Sequence, residues 1–347
     1  MKKSLLALAV LGAYAGVASA QSSVTLYGTL DVNGRYVKAD GLNKRWSEGT
    51  DGINSSQLGF RGVEDLGGGL RAGFTLLAGV NPDAGTANSK FWNRRSTVSL
   101  FGGFGEIRLG RDYTPTFWNT TIFDAFGTNG LGSSLNVRMT SAGVRQDNSI
   151  GYFLPSNIGG FYGQFMVSAA ENGTTADKPA RYIGGRVGFA AGPFDVAGAA
   201  ATAKMGTNFV SGLVPVAAGE EEKSYNIGGS WDFGFLKLLG YWNRESMPNA
   251  KENTWSISGV IPFGQSEVHV GYDNAKLEAN GIPDQSVDQF KATYQYNLSK
   301  RTAVYTTASW LKNKDQTRLI LPGGATGGLP TAGGKSQGIE FGLRHFF

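Results

Sequence analysis

Cysteine is absent from the 347 residues, proline occurs only 11 times, and histidine occurs twice, at His269 and His345. Without cysteine there is no disulfide scaffold and no thiolate zinc site. Two histidines leave little for nucleophilic hydrolysis, which needs a base beside a nucleophile. His269 stands between Val268 and Val270 with no Ser or Asp motif around it, and His345 falls on the same face as Phe347. No cluster of histidines and carboxylates has metal-ligand spacing, so neither a metal nor a cofactor is implied. Past Val17 no apolar run approaches the ~18 residues of a membrane helix. A chain of this kind in a membrane has to be a closed barrel. An excess of either charge is missing too. Lys and Arg number 32 against 27 Asp and Glu, which excludes nucleic acid as the default partner.

Present instead are 52 glycines and 12% aromatic residues, a composition of short strands and tight turns. Gly67-Gly-Gly69 and the stretch from Gly102 to Gly105 precede no helical pattern, so both read as turns, not as phosphate loops. The first twenty residues differ from the rest. Lys2 and Lys3, the apolar run Leu5 to Val17, and Ala18-Ser19-Ala20 are the three regions of a secretory signal peptide, with cleavage expected after Ala20. The mature chain, residues 21–347, is expected to form one domain.

Within it, alternation with period two runs from end to end, the mark of strands with one apolar and one polar face. Val24, Leu26, Leu30, Val32 and Tyr36 share a face, against Thr25, Thr29, Asp31, Asn33 and Arg35. Near the other end Ile339, Phe341, Leu343 and Phe347 oppose Glu340 and Arg344. Seven short breaks interrupt the pattern: Glu64 to Gly69, Gly102 to Gly105, Pro155 to Gly160, Ala191 to Phe194, Asp232 to Gly234, Pro262 to Gln265, and Asn297 to Arg301. They alternate with eight longer polar segments near Lys38 to Gly52, Asn81 to Lys90, Thr114 to Val144, Glu171 to Ala180, Lys204 to Glu222, Ser246 to Lys251, Lys276 to Val287, and Asn313 to Lys335. The breaks divide the chain into about sixteen strands. Short turns on one side and long loops on the other are the pattern of a tilted transmembrane barrel. A barrel of that size leaves an aqueous lumen.

Several stretches, Ser23-Val-Thr-Leu-Tyr-Gly28, Leu58-Gly-Phe-Arg-Gly-Val-Glu-Asp-Leu-Gly-Gly-Gly-Leu70, Gly103-Phe-Gly-Glu-Ile-Arg-Leu-Gly-Arg-Asp-Tyr-Thr-Pro115, Arg145-Gln-Asp-Asn-Ser-Ile-Gly-Tyr152 and Gly342-Leu-Arg-His-Phe-Phe347, resemble the general porins of Gram-negative bacteria in their β-proteobacterial branch. Phe346 departs from that pattern, where a Lys is more usual, and so does Gln57, where an Arg is frequent. The resemblance implies an all-β fold, a 16-stranded antiparallel transmembrane β-barrel of the outer membrane, assembled as a homotrimer. It further implies a third loop folded into each lumen and passive diffusion of ions and small hydrophilic solutes. Outer-membrane lipid and lipopolysaccharide would surround it, and its terminal aromatic, with Phe341 and Leu343, would be read by the barrel-assembly machinery.

The segment of about 114–144 is far longer than an ordinary loop and carries Phe117, Trp118, Ile122, Phe123, Phe126 and Leu131, too bulky a set for open water. A loop tucked against the inner wall accounts for them, and Asp124 is its carboxylate. Opposite it, fixed charge would decide which sign of solute enters. Parity sends Arg35, Arg61, Arg95 and Arg71 inward, with Arg71 near a turn. The resemblance adds Arg111, in Gly110-Arg-Asp-Tyr113, and Arg145, seven residues before Tyr152. Strict alternation from Ile107 and Leu109 would turn Arg111 outward unless a bulge intervenes. A unit charge about 5 Å from a passing ion, at an effective dielectric of ~40 to 80, contributes roughly 1 to 2 kcal/mol. The expectation is a weak to moderate anion preference that fades with salt. A substrate-specific channel or a non-conducting adhesion barrel is the alternative, with Lys204 to Glu222 and Asn313 to Lys335 as the binding loops.

Overall fold

The computed structural model describes residues 23–140, 143–169, 181–204 and 220–347. The expected signal segment and its cleavage point after Ala20 lie outside the described residues, as do Glu171 to Ala180 and most of Lys204 to Glu222.

Eighteen strand segments are present among the described residues: β1 (Ser23–Ala39), β2 (Arg45–Thr50), β3 (Gln57–Gly67), β4 (Leu70–Asn81), β5 (Thr86–Ala87), β6 (Arg95–Gly102), β7 (Gly105–Tyr113), β8 (Arg145–Phe153), β9 (Phe161–Ser168), β10 (Tyr182–Ala191), β11 (Phe194–Lys204), β12 (Glu221–Asp232), β13 (Lys237–Met247), β14 (Ala250–Phe263), β15 (Ser266–Ala279), β16 (Gln285–Asn297), β17 (Thr302–Asp315) and β18 (Lys335–Phe346). They make sixteen walls. β2 and β3 both pair with β1, at Val32–Val37 and Ser23–Thr29, and are one strand interrupted at residues 51–56. β5 is a two-residue overhang on β4. All neighbours are antiparallel, and the ring closes where β1 pairs with β18 from Thr29↔Phe346 to Ala39↔Ser336. One further rung follows, since Gly28 and Phe347 exchange both backbone hydrogen bonds at 3.1 Å.

Burial is inverted relative to a water-soluble domain. Val24, Leu26 and Leu30 on β1 and Ile339, Phe341 and Leu343 on β18 are exposed, while Thr29, Asp31, Asn33, Arg35, Glu340 and Arg344 are buried. Side chains alternate across each strand, so the apolar face looks outward and the polar face lines the lumen. Aromatic pairs mark two levels on the outer surface. Trp242 and Trp255 sit 6.1 Å apart, as do Trp231 and Phe233 toward the short-turn end. On β14 the outward residues Trp255 and Phe263 are about 26 Å apart along the strand at ~3.3 Å per residue, matching the apolar band of an outer-membrane barrel.

All seven short breaks are turns. The long segment expected at Ser246 to Lys251 is instead a tight turn, because β13 and β14 keep pairing to Met247↔Ala250 and leave only Pro248 and Asn249 between them. Polar character there belongs to strand ends standing above the membrane.

The 114–144 segment begins with α1 (Pro115–Ile122), capped by Thr114, whose hydroxyl accepts from Phe117 N and whose fixed-φ neighbour Pro115 suits the first helical position. Its base is pinned where Thr114 N donates to Val144 O at 3.1 Å. From there it packs along the polar inward faces of the far strands. Asn119 donates to Ala197 O and Asn226 Oδ1, Phe123 is buried with Ala197 and Tyr241, and Leu131, Val137 and Met139 join Val37, Leu277, Val287 and Leu311 in an apolar cluster inside the ring. Those bulky residues are thereby removed from water, each such burial being worth roughly 1.5 to 3 kcal/mol.

Candidate functional site: a loop and an arginine wall facing one lumen

Arg35 lies on the inward face of β1 opposite Glu340, and its Nε donates to Glu340 Oε2 at 2.8 Å. Both side chains are buried, so this pair braces the seam between β1 and β18. Arg61 shares the inward face of Thr75 and Thr97 but is exposed and lies 5.2 Å over the Tyr27 ring. Arg95, on the same face, donates from Nε to Asp112 Oδ1 at 2.7 Å. Arg71 pairs across from Asp65 at the turn.

Arg111 follows a break in the ladder. The β7 and β8 registers slip between Gly110 and Asp112, Gly110 takes φ 124°, and a Cβ there would strike the Ser96 carbonyl. Gly110 keeps its rung with β6, whose ladder runs unbroken from Thr97↔Gly110 to Ser96↔Arg111; the extra residue lies in β8, where three steps from Ser149 to Gln146 oppose two in β7 and Asn148 takes φ 51°. Beyond it Arg111 Nε donates to Asn93 O at 2.7 Å and Nη1 pairs with Asp147 at 2.6 Å. Arg145 donates to Arg94 O at 3.0 Å and to Tyr113 Oη at 2.6 Å, lying 4.2 Å over the Tyr113 ring. Arg111, Arg145, Arg94, Arg95 and Tyr113 thus meet on one wall beside the base of the 114–144 segment. Arg94 reaches Asp51 at 3.2 Å, on the inturned stretch 51–56, whose backbone N–H groups at Gly52, Ile53 and Asn54 donate to the Asp31 carboxylate.

Asp124 is on a different wall. It is fully buried, accepts from Phe126 N, and lies 3.5 Å from Lys291 Nζ, which pairs with Asp273 at 2.8 Å. The carboxylate therefore anchors the loop instead of facing the arginines. At the far end of the loop Arg138 pairs with Glu245 and Glu252, and Met139 N donates to Glu252 at 3.0 Å. Its middle is held by His269, with Nδ1 at 2.8 Å from Ala125 O and Nε2 at 3.1 Å from Glu267.

Three further arginines face the lumen, of which only Arg344 was placed on a polar face from the sequence. Arg108 pairs with Glu106 and Asp112, Arg186 donates to Asn119 Oδ1 at 2.7 Å, and Arg344 donates to Asn54 Oδ1 at 3.1 Å. Alternation could have found Arg108, between Ile107 and Leu109, as it did place Arg344 opposite Leu343. Among the described residues Arg61, Arg145, Arg186 and Arg344 have no carboxylate within ion-pair distance.

A closed sixteen-walled barrel, apolar outside and polar inside, with a long segment packed on its inward faces, is a transmembrane channel scaffold of the bacterial outer membrane. The match to the Gram-negative porin family model covers residues 7–316, and the chain belongs to that family. Outer membrane porin protein 32 of Delftia acidovorans is 40% identical over 364 aligned residues spanning 100% of both chains. Among solved structures, an anion-selective porin from Comamonas acidovorans superposes with a TM-score of 0.83 at 37% identity, covering 94% of this chain and 100% of its own. OmpT of Vibrio cholerae, in a trimer form, shares the fold at a TM-score of 0.66 and 16% identity.

Proposed function

We propose that the chain forms a water-filled pore for passive diffusion of ions and small hydrophilic solutes, with a weak to moderate preference for anions. The observation that carries the reading is the set Arg61, Arg145, Arg186 and Arg344, inward guanidiniums that make no direct ion pair among the described residues. The pair Arg35–Glu340 is formally neutral and the buried trio Asp124, Lys291 and Asp273, one cation against two carboxylates, carries a formal charge of −1; both hold the loop and seam. Arg95 and Arg111 act mainly by shaping the wall, each being matched to an aspartate. The segment 114–144 is the constriction, since it occupies lumen volume along the far strands.

The anion selectivity of the similar Comamonas acidovorans porin supports the sign, and the trimeric OmpT structure agrees with assembly of this chain as a homotrimer. Export through residues 1–20, recognition of Phe341, Leu343 and Phe347 by the assembly machinery, and seating among lipopolysaccharide complete the reading. Planar-bilayer recording in a tenfold KCl gradient tests it. The reversal potential is expected on the anion-selective side, closer to neutral as both baths are raised in salt. A cation-selective potential would overturn the sign, and absence of conductance would favour an adhesion barrel.

A further inference from the structure

The pore reading leaves unused a cleft of about 380 Å³ beneath α1, walled by β7, β9 and β10. Its volume is in the range of small-molecule sites. Three guanidiniums line it, Arg95, Arg108 and Arg186, against one lining carboxylate, Asp112. Arg95 and Arg108 both pair with that carboxylate. Arg186 has none in ion-pair range; Asn119 holds its Nε, and its guanidinium lies 4.6 Å over the Tyr162 ring. The second feature is Trp118. In the stretch 114–120 it alone keeps partial exposure, and it is the helix's contribution to the cleft lining. The ring packs on Tyr113 on one side and stays part-wet on the other, and the Arg186 guanidinium touches no carboxylate directly, Asp195 reaching it only past the Tyr162 hydroxyl, so each keeps an open side toward the cleft. A bare inorganic anion would use only the cation, and a neutral ring only the indole. A planar ring bearing one carboxylate uses both, with the carboxylate on the guanidinium fork and the ring against Trp118.

We propose that this cleft is a solute subsite for aromatic carboxylates, with Arg186 holding the carboxylate and Trp118 the ring. It rests on the reading of the chain as a solute channel and adds the class of solute that lingers beside the path. Benzoate is the probe, with acetate and benzyl alcohol as single-feature controls. Calorimetric titration of the folded barrel in detergent should show saturable benzoate binding and at least tenfold weaker binding of either control. Arg186→Gln should weaken benzoate about tenfold or more, the scale of a lost charge-assisted hydrogen bond. Trp118→Leu should weaken benzoate severalfold and leave acetate unchanged. Should Arg186→Gln not fold, Arg186→Lys keeps the charge without the fork and is expected between wild type and the Gln variant. In bilayers benzoate should reduce the chloride current of the wild type saturably. Equal benzoate affinity in wild type and both Arg186 variants, or benzoate no tighter than acetate, overturns the proposal. Chloride conductance without benzoate binding sinks the subsite and leaves the channel, whereas benzoate binding without conductance sinks the channel alone.

Discussion

Arg145→Gln isolates one fixed charge with little disturbance to the wall. The guanidinium has no carboxylate to strand, and its hydrogen bonds go to the Arg94 carbonyl and the Tyr113 hydroxyl, so Gln leaves no buried charge unpaired. For an ion passing about 5 Å from the charge in a water-like dielectric, the interaction is about 0.8 kcal/mol, favourable for an anion and equally unfavourable for a cation. The anion-to-cation ratio therefore rests on about 1.6 kcal/mol from this one residue, reduced at 0.1 M salt by a Debye length of ~10 Å to about 1 kcal/mol, or roughly fivefold. At 1 M salt, where the Debye length is ~3 Å, less than about twofold remains. The assay is the reversal potential of single channels in a fixed concentration gradient, run at both salt levels for wild type and variant. The expected result is a shift toward cations that is several times larger at low salt. A shift of equal size at both salt levels would mean that pore shape, not fixed charge, had changed. No shift at low salt would refute the placement of Arg145 on the conducting wall.

Two structural predictions accompany it. Lys291→Met removes the cation shared by two fully buried carboxylates, Asp124 and Asp273, and should cost about 3 to 5 kcal/mol, read as a lower unfolding temperature together with noisier open-channel current as the loop loosens. At the seam, a Cβ on Gly28 would run into the Phe347 ring and within 2.5 Å of the Gln57 carbonyl. Gly28→Leu and deletion of Phe347 should therefore lower the yield of the heat-modifiable band on gels to a similar degree, and normal yield from either would contradict the seam's role.

Much of the barrel was legible because alternation is a local property: the outward faces of β1 and β18 lie where the sequence put them, and each short break is a turn. Two things were not. Polarity at Ser246 to Lys251 reads equally as a loop or as ladder continuing above the membrane, and only the partner strand decides. Asp124 was expected opposite the arginines, but its partner Lys291, shared with Asp273, comes from β16 and Asp273 from β15, a juxtaposition that ring closure creates and no local pattern records. Arg111 was expected to stay in the outward row of Ile107 and Leu109 unless a bulge intervened; its β6 register does continue that row to Ser96↔Arg111, and the extra residue falls in the partner strand β8, where only the pairing shows it. The apolar cluster of Val37, Leu277, Val287 and Leu311 under the loop likewise breaks the polar-inside rule where a segment replaces water.

The seam joins Arg35 to Glu340 across 305 positions of chain. Closing a loop of that length costs about 5 kcal/mol beyond a constant, and doubling it would add only about 0.6. Entropy therefore scarcely distinguishes this ring from one with a hairpin more or fewer. A lineage could duplicate or lose a β-hairpin between β3 and β17 and still close on the same pair of strands, provided tilt and stagger readjust. Pore width is in this sense a modular variable, and the two strands that meet at the seam are its constant part.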